Sequence, residues 1–445
     1  MGNYLIDILQ EHKAGKPVGI YSVCSANQFV LEAAMIQAKR ENTALLIEST
    51  SNQVDQFGGY SGLNPQQFVE YVQQISDRMK FPFEMIILGG DHLGPNVWQD
   101  RPSDQAMGHA SDQIRSYVQA GFTKIHLDAS MRCLDDPGEP SKPLDPAIIA
   151  ERTAFLCRTA EEYSNGSGSL PLYVIGTEVP IPGGANHDIG EITITSVPDL
   201  QQTIDLAQKA FFKYGLQEAW ERVIAVVVQP GVEFSDAMVN DYQREKAVEL
   251  KAYIEKYELL IYEAHSTDYQ KPDSLRQMVE DHFAILKVGP ALTFAFREAI
   301  FNLALIEKHL LPFNRAISSS NMMEIIESVM MGNPKYWMRY YSGNEVKQSF
   351  SRKFSLSDRI RYYWAEPKVV AALEKLIQNL SEIDIPLSLI SQYLPDQYRA
   401  LRNGEIDYSL SELIYHRILK VLNDYAYATN LKEVKIFKQM SEEFH

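Results

Sequence analysis

The chain has 445 residues, a formal net charge of −16, 45% hydrophobic residues and 22% charged residues. This is an ordinary composition for a globular protein with a large buried core. The acidic balance argues against nucleic acid and anionic membrane surfaces as partners, because both select basic faces. The chain carries three cysteines, Cys24, Cys133 and Cys157, with no C-x-x-C pair. Its N-terminus lacks a basic segment followed by an apolar one. Both features predict a reducing, cytoplasmic setting without disulfides or a signal peptide, and no apolar run approaches membrane-spanning length.

Eight apolar runs rich in β-branched residues follow one another along the chain. They are Gly19–Ser25, Ala44–Thr50, Glu84–Asp91, Lys124–Ser130, Leu172–Pro180, Val223–Gly231, Leu259–Thr267 and Phe283–Ala291. Near-continuous hydrophobicity predicts parallel strands buried on both faces. Their alternation with helix-like segments predicts an α/β fold, and eight units predict a closed TIM-type (β/α)8 barrel. A doubly wound open sheet is the alternative, but no G-x-G-x-x-G turn follows the first strand. From Thr293 the pattern turns helical, with Thr293–Leu310 predicted to pack outside the barrel. Residues 1–310 are thus read as the barrel. Residues 311–445 are read as a helix-rich C-terminal extension packed on it, broken at Asn333-Pro334, Glu366-Pro367, Ile385-Pro386 and Leu394-Pro395. Its aromatic stretch Ser357–Trp364 fits either a docking surface or ordinary helix packing.

The strand ends are polar, and in a barrel they converge on the face where active sites form. The third run ends in Gly89-Gly90-Asp91-His92-Leu93-Gly94-Pro95, an acid and an imidazole before a turn. His92 and His265 are the candidate metal ligands, since neutral imidazole is a common ligand for zinc. Either one alone would more often be a satisfied core histidine; two at converging strand ends weigh evenly. Glu263, His265 and Thr267 alternate onto one face of the seventh strand, as do His126, Asp128 and Ser130 on the fourth. So many polar groups inside a barrel are costly unless they bond to each other, to water or to a ligand. Asp91 and Glu178 are the candidate acid/base carboxylates, with anchoring of the loop at residues 180–184 an equal reading for Glu178. Lys287 and Gly289, at the eighth strand, could hold phosphate, because barrels often bind it near the last two strands. The other reading of Lys287 is a structural lysine facing a carboxylate at the mouth. Asn52, in the loop Asn52–Tyr60, and Ser130 are the remaining candidate substrate contacts; an ordinary ordered loop is the simpler reading there than a lid.

The chain closely resembles the GatZ/KbaZ family, the non-catalytic subunits of D-tagatose-1,6-bisphosphate aldolase. The matching stretches include Glu48–Tyr60, Leu88–Asn96, Gly121–Met131, Val174–Gly184, Val228–Phe234, Tyr262–Gln270, Leu286–Ala295, Ser357–Trp364 and Ile390–Pro395. They cover nearly the whole chain in order and sit nearer the KbaZ branch. One departure is Ser25-Ala26-Asn27-Gln28, where the family commonly reads S-A-H-P. The resemblance implies a partner, a catalytic class II aldolase subunit of the GatY/KbaY type, whose activity and stability this chain would support in galactitol or N-acetylgalactosamine catabolism. It implies a chain inactive alone as an aldolase.

A more distant similarity to class II aldolases implies that Asp91 matches their base and that His92 and His265 match zinc ligands. Their remaining ligand histidine would fall at about Gln229, whose amide keeps the charge but weakens the affinity. The resemblance thus implies a degenerate site for zinc or manganese, or a working site for a different step. The alternative to a supporting subunit is a stand-alone metal-dependent ketose-phosphate C4-epimerase or aldolase. A sugar-kinase activity has no support in the sequence, which lacks a G-x-x-x-x-G-K-[ST] loop.

Overall fold

A computed structural model describes residues 3–139, 142–164, 170–177, 192–313 and 318–438. All eight predicted runs form strands: β1 (Ile20–Cys24), β2 (Leu45–Thr50), β3 (Ile86–Leu93), β4 (Lys124–Leu127), β5 (Leu172–Gly176), β6 (Val223–Val227), β7 (Ile261–Ala264) and β8 (Ile285–Val288). Each pairs in parallel with the next, and β8 returns to β1, closing the barrel in sequence order. The strands are buried on both faces, as near-continuous hydrophobicity requires. A short antiparallel ribbon, Glu233–Phe234 with Val239–Asn240, follows β6.

Helices cross between successive strands, and their starts follow local chemistry. Asn64 and Gln67 form a reciprocal capping box ahead of helix Pro65–Met79. Asn27 caps helix Gln28–Glu41 by accepting from the Val30 N–H, and Gln28 donates to Glu32. The Asn27-Gln28 departure therefore provides a helix start.

The segment after residue 310 is built into the barrel. One apolar core runs from Leu5 to Phe437. The helix Leu410–Thr429 packs against helices Gln28–Glu41, Pro272–Glu280 and Pro290–Leu310. The Thr429 carbonyl accepts from the Gly19 N–H at 2.9 Å, at the foot of β1. The Tyr425 hydroxyl donates to the Thr267 carbonyl at 2.8 Å, just past β7. Ser357–Trp364 is not a docking surface. Ser357, Asp358, Arg359, Ile360, Tyr362, Tyr363 and Trp364 are all buried within the chain, because a short 3-10 turn, Arg359–Tyr362, lays them against the barrel mouth.

Candidate functional site

The polar strand ends do converge, and they stack in two layers. The deeper layer is a closed square of charges. Lys124 Nζ, fully buried, meets Glu48 Oε1 at 2.7 Å and Glu263 Oε2 at 2.5 Å. Lys287 Nζ pairs with the other oxygen of Glu48 and lies 3.4 Å from Glu263 Oε1. Two carboxylates against two ammoniums balance, which is what permits four charged groups inside a barrel. Sequence prepares the space. A Cβ at Gly89 would stand 2.6 Å from Glu48 Cγ, so only glycine lets the Glu48 side chain cross the barrel there.

Above the square lie Asp91, His92, His126, Asp128 and His265, with the three imidazole centroids 4.8 to 5.2 Å apart. The β3–β4 register shifts between Gly90 and Leu93, and His92 has φ +51°. That bulge re-aims the strand end, a common device beside active sites. His92 Nδ1 bonds Asp128 Oδ2 at 2.8 Å, while Asp128 Oδ1 accepts from the Ser130 hydroxyl at 2.6 Å. His126 Nδ1 lies 3.0 Å from Asp91 Oδ1, and Lys287 Nζ lies 2.8 Å from the same oxygen. His265 Nε2 lies 3.0 Å from Glu263 Oε1. Burial alone would raise Asp91, but His92, Lys287 and the bond from His126 hold it well below the usual carboxylate range. Burial pushes His265 down to about 3, so it is neutral at pH 7. Burial also opposes charge on His92, but Asp91 and Asp128 outweigh it and raise the ring.

This donor set fits a divalent cation. One ligand atom each from Asp91, His126, Glu263 and His265 lies within 4.8 Å of the others, and all four residues are buried. His126 Nε2 is buried without a hydrogen-bond partner. His126 Nδ1 lies between Asp91 Oδ1 at 3.0 Å and the His92 N–H, which donates to it at 3.2 Å. In the tautomer that donates Nδ1–H to Asp91, Nε2 would offer a metal its lone pair, the arrangement in which a carboxylate orients a ligating histidine. Across the two layers the four carboxylates Glu48, Asp91, Asp128 and Glu263 share only two lysines, Lys124 and Lys287. A dication would fill that deficit of two charges.

A cavity of about 70 Å³ opens over Asp91, His92, His265 and Lys287. Its outer wall includes Tyr60 from the loop after β2, and Arg361 and Tyr362 from the C-terminal extension. Tyr60 and Tyr362 meet edge to face at 4.5 Å.

A family model described as D-tagatose-1,6-bisphosphate aldolase subunit GatZ/KbaZ-like matches residues 5–430. The chain belongs to the GatZ/KbaZ-like family. Among solved structures, it is 43% identical to a probable tagatose 6 phosphate kinase from Sinorhizobium meliloti 1021, over 92% of this chain and 100% of that one, with a TM-score of 0.83. It is also matched, at 12% identity and a TM-score of 0.49, by a fructuronate-tagaturonate epimerase from Cohnella laeviribosi, over 93% of this chain and 82% of that one. An aldolase from Escherichia coli K12 matches at 11% identity and a TM-score of 0.39, over 84% and 96% of the two chains.

Within this GatZ/KbaZ-like chain the expected site residues fall in different places. Asp91, His92, His265 and Lys287 come together at the mouth. Gln229 does not join them. Its Oε1 accepts from the Gly231 N–H at 2.8 Å, and it is not among the residues lining the cavity. The expected amide ligand is thus spent on its own turn. His126 and Glu263 stand with His265 in the ligand group instead; their alternation on β4 and β7 was the signal for them. Thr267 leaves that face because Ser266 takes φ +54°, and its hydroxyl turns to Tyr425.

Lys287 faces three carboxylates, so it is not a free phosphate-binding cation. The Gly289 and Ala291 N–H groups both donate to Asp268 Oδ1, at 3.0 and 2.8 Å. The helix start expected to take phosphate already holds an internal anion. Asn52 lines the cavity and bonds the Tyr362 hydroxyl. Its loop is ordered by Asp55, which accepts from the Phe57 and Gly59 N–H groups. Ser130 binds Asp128 and faces away from this cavity, toward a neighbouring one. Glu178 lies outside the described residues. Glu48, Lys124, Asp268 and Arg361 were not legible as site residues, since each depends on which distant element it meets.

Among the described residues, no helix is long and apolar enough to cross a membrane.

Proposed function

We propose that this chain binds a divalent metal, zinc or manganese, at the barrel mouth and acts there on a ketose phosphate, as a C4-epimerase or an aldolase. The observation that carries this is the buried donor group of Asp91, His126, Glu263 and His265, with His126 Nε2 buried and unbonded. Catalytic metal sites use three protein donors and keep a position open. His126, His265 and Glu263 would hold the ion, leaving Asp91 for the proton. A metal there would supply a Lewis acid for a substrate oxygen. Asp91, kept ionised by His92 and Lys287, accepts a proton at Oδ2, because Oδ1 is occupied by His126 and Lys287. His92 Nε2 stands 3.7 Å from that oxygen, beyond direct hydrogen-bond distance, with Asp128 fixing the ring from the other side. Removal of the C4 hydroxyl proton, with the C3–C4 pair passing to a C2–C3 enediolate and C4 left as an aldehyde, is the step that aldol cleavage and a retro-aldol C4-epimerisation share.

The second reading is a supporting subunit. The family description favours it: the chain would stabilise a catalytic class II aldolase subunit that cleaves D-tagatose 1,6-bisphosphate, in galactitol or N-acetylgalactosamine catabolism.

One experiment separates the two. The purified chain, supplied with zinc or manganese, is analysed for bound metal and incubated with fructose and tagatose phosphates. The first reading expects about one ion per chain, lost in His126→Ala and His265→Ala, and a C4-epimeric or cleaved product. A chain that binds no metal and turns nothing over, yet prolongs the activity of a co-purifying aldolase, would leave only the second.

A further inference from the structure

We propose that Arg361, supplied by the C-terminal extension, is the residue that recognises the phosphate of the substrate. This rests on the reading above that the mouth takes a sugar phosphate, and it names where the phosphate end lies.

The barrel's own candidates are taken. Lys287 is held by three carboxylates, and the N–H groups of Gly289 and Ala291 are held by Asp268. A phosphate dianion placed at either would meet negative charge already there. Arg361 differs. It is half-buried and lines the cavity. Nη1 donates to the carbonyls of Ser357 and Asp358, and Nη2 donates to the Tyr362 hydroxyl at 2.9 Å. All three acceptors are neutral. Among the described residues no carboxylate oxygen lies within 4.0 Å of the guanidinium, Asp268 and Asp358 acting on it only from farther off, and the hydrogen bonds it makes to the described residues leave its Nε–H and one Nη2 hydrogen unused. A positioned guanidinium with two free donors is the group that binds phosphate in bidentate fashion. Asn52 and Tyr362 stand beside it on the same wall.

Space agrees with charge. The cavity over Asp91 and His265 holds only about 70 Å³, well below the ~300 Å³ of the smallest usual ligand sites. A groove of about 480 Å³ shares Cys24, Tyr60 and Arg361 with it. A ketose phosphate spanning both would put its reacting carbons over Asp91 and its phosphate at Arg361, where the two spaces meet. The C-terminal extension would then set the substrate class, phosphorylated over free ketose.

Calorimetric titration of the full chain with fructose 6-phosphate, fructose and inorganic phosphate tests this. The wild type should bind fructose 6-phosphate more tightly than fructose, and inorganic phosphate should compete with the former. Arg361→Gln should weaken fructose 6-phosphate at least about 10-fold, the loss of a charge-assisted contact, while leaving fructose unchanged; Arg361→Lys should fall between. Equal wild-type binding of the two sugars would overturn the proposal without any variant. So would a folded Arg361→Gln that binds fructose 6-phosphate normally. Metal content is measured on the same samples. A metal-free chain that still binds phosphate through Arg361 defeats the metal-dependent reading alone. A metal-loaded chain indifferent to Arg361 defeats this one alone.

Discussion

Lys124→Met removes one corner of the buried square, and its cost can be worked from the structure. Glu48 and Glu263, both fully buried, would then face the single ammonium of Lys287. Water cannot reach them, so one must take up a proton. At pH 7, protonating a carboxyl of ordinary pKa about 4.3 costs about 2.7 pH units, or about 3.7 kcal/mol. That falls within the ~3–5 kcal/mol found on removing one partner of a buried pair. Across 445 residues, with an unfolding entropy of about 2.1 cal/mol/K per residue, about 4 kcal/mol lowers the melting temperature by about 4 °C. The loss must depend on pH. The variant's folded state holds a carboxyl with a raised pKa, so stability is retained below pH 4.3 and lost as pH rises toward that higher value. At pH 5 the same protonation costs only about 1 kcal/mol. Melting of chelator-treated wild type and variant at pH 5 and 7.5 measures both arms. Adding Glu263→Gln to the variant should recover much of the loss by removing the second carboxylate of the square, leaving Glu48 and Asp91 to share Lys287. A loss that is equal at the two pH values, or below about 1 kcal/mol at pH 7.5, would refute the charge-square reasoning.

Three further outcomes are expected. Gly94→Ala should yield little folded protein in an expression and melting assay, since its Cβ would collide with the Asp128 carbonyl oxygen beneath the site. Glu233 is buried beside the mouth, and burial pushes its carboxyl up to about 7, against the Phe234 N–H bond that favours the charged form. The charged form is thus a burden above pH 7, and Glu233→Gln should stabilise the chain at pH 8, by up to about 3 kcal/mol, and change little at pH 5. Tyr425→Phe should cost about 1–2 kcal/mol in denaturant unfolding, because it leaves the Thr267 carbonyl without the hydroxyl that ties the last long helix to β7.

The sequence alone determined the barrel. Eight apolar runs with polar ends have few other solutions, and each run became a strand because a strand buried on both faces must be apolar throughout. It also marked Asp91, His92 and His265, whose side chains need only the strand end to reach the mouth, and the period-2 alternation placed His126 and Glu263 on the same inner face. Tertiary structure decided the rest. Gln229 left the site because the turn after β6 consumed its amide, and Thr267 left because φ turns positive at Ser266. Lys287 and Gly289 were free cation and free amide in the sequence; in the fold they are paired with Glu48, Asp91, Glu263 and Asp268, none of them a sequence neighbour of both. Arg361, some 270 residues from Asp91 in the chain, could not be assigned to the mouth until the extension was seen to fold back over it. Local pattern fixes which residues point inward, because that depends on backbone periodicity. Which of them remain free to bind a ligand depends on long-range pairing, which a single sequence does not display.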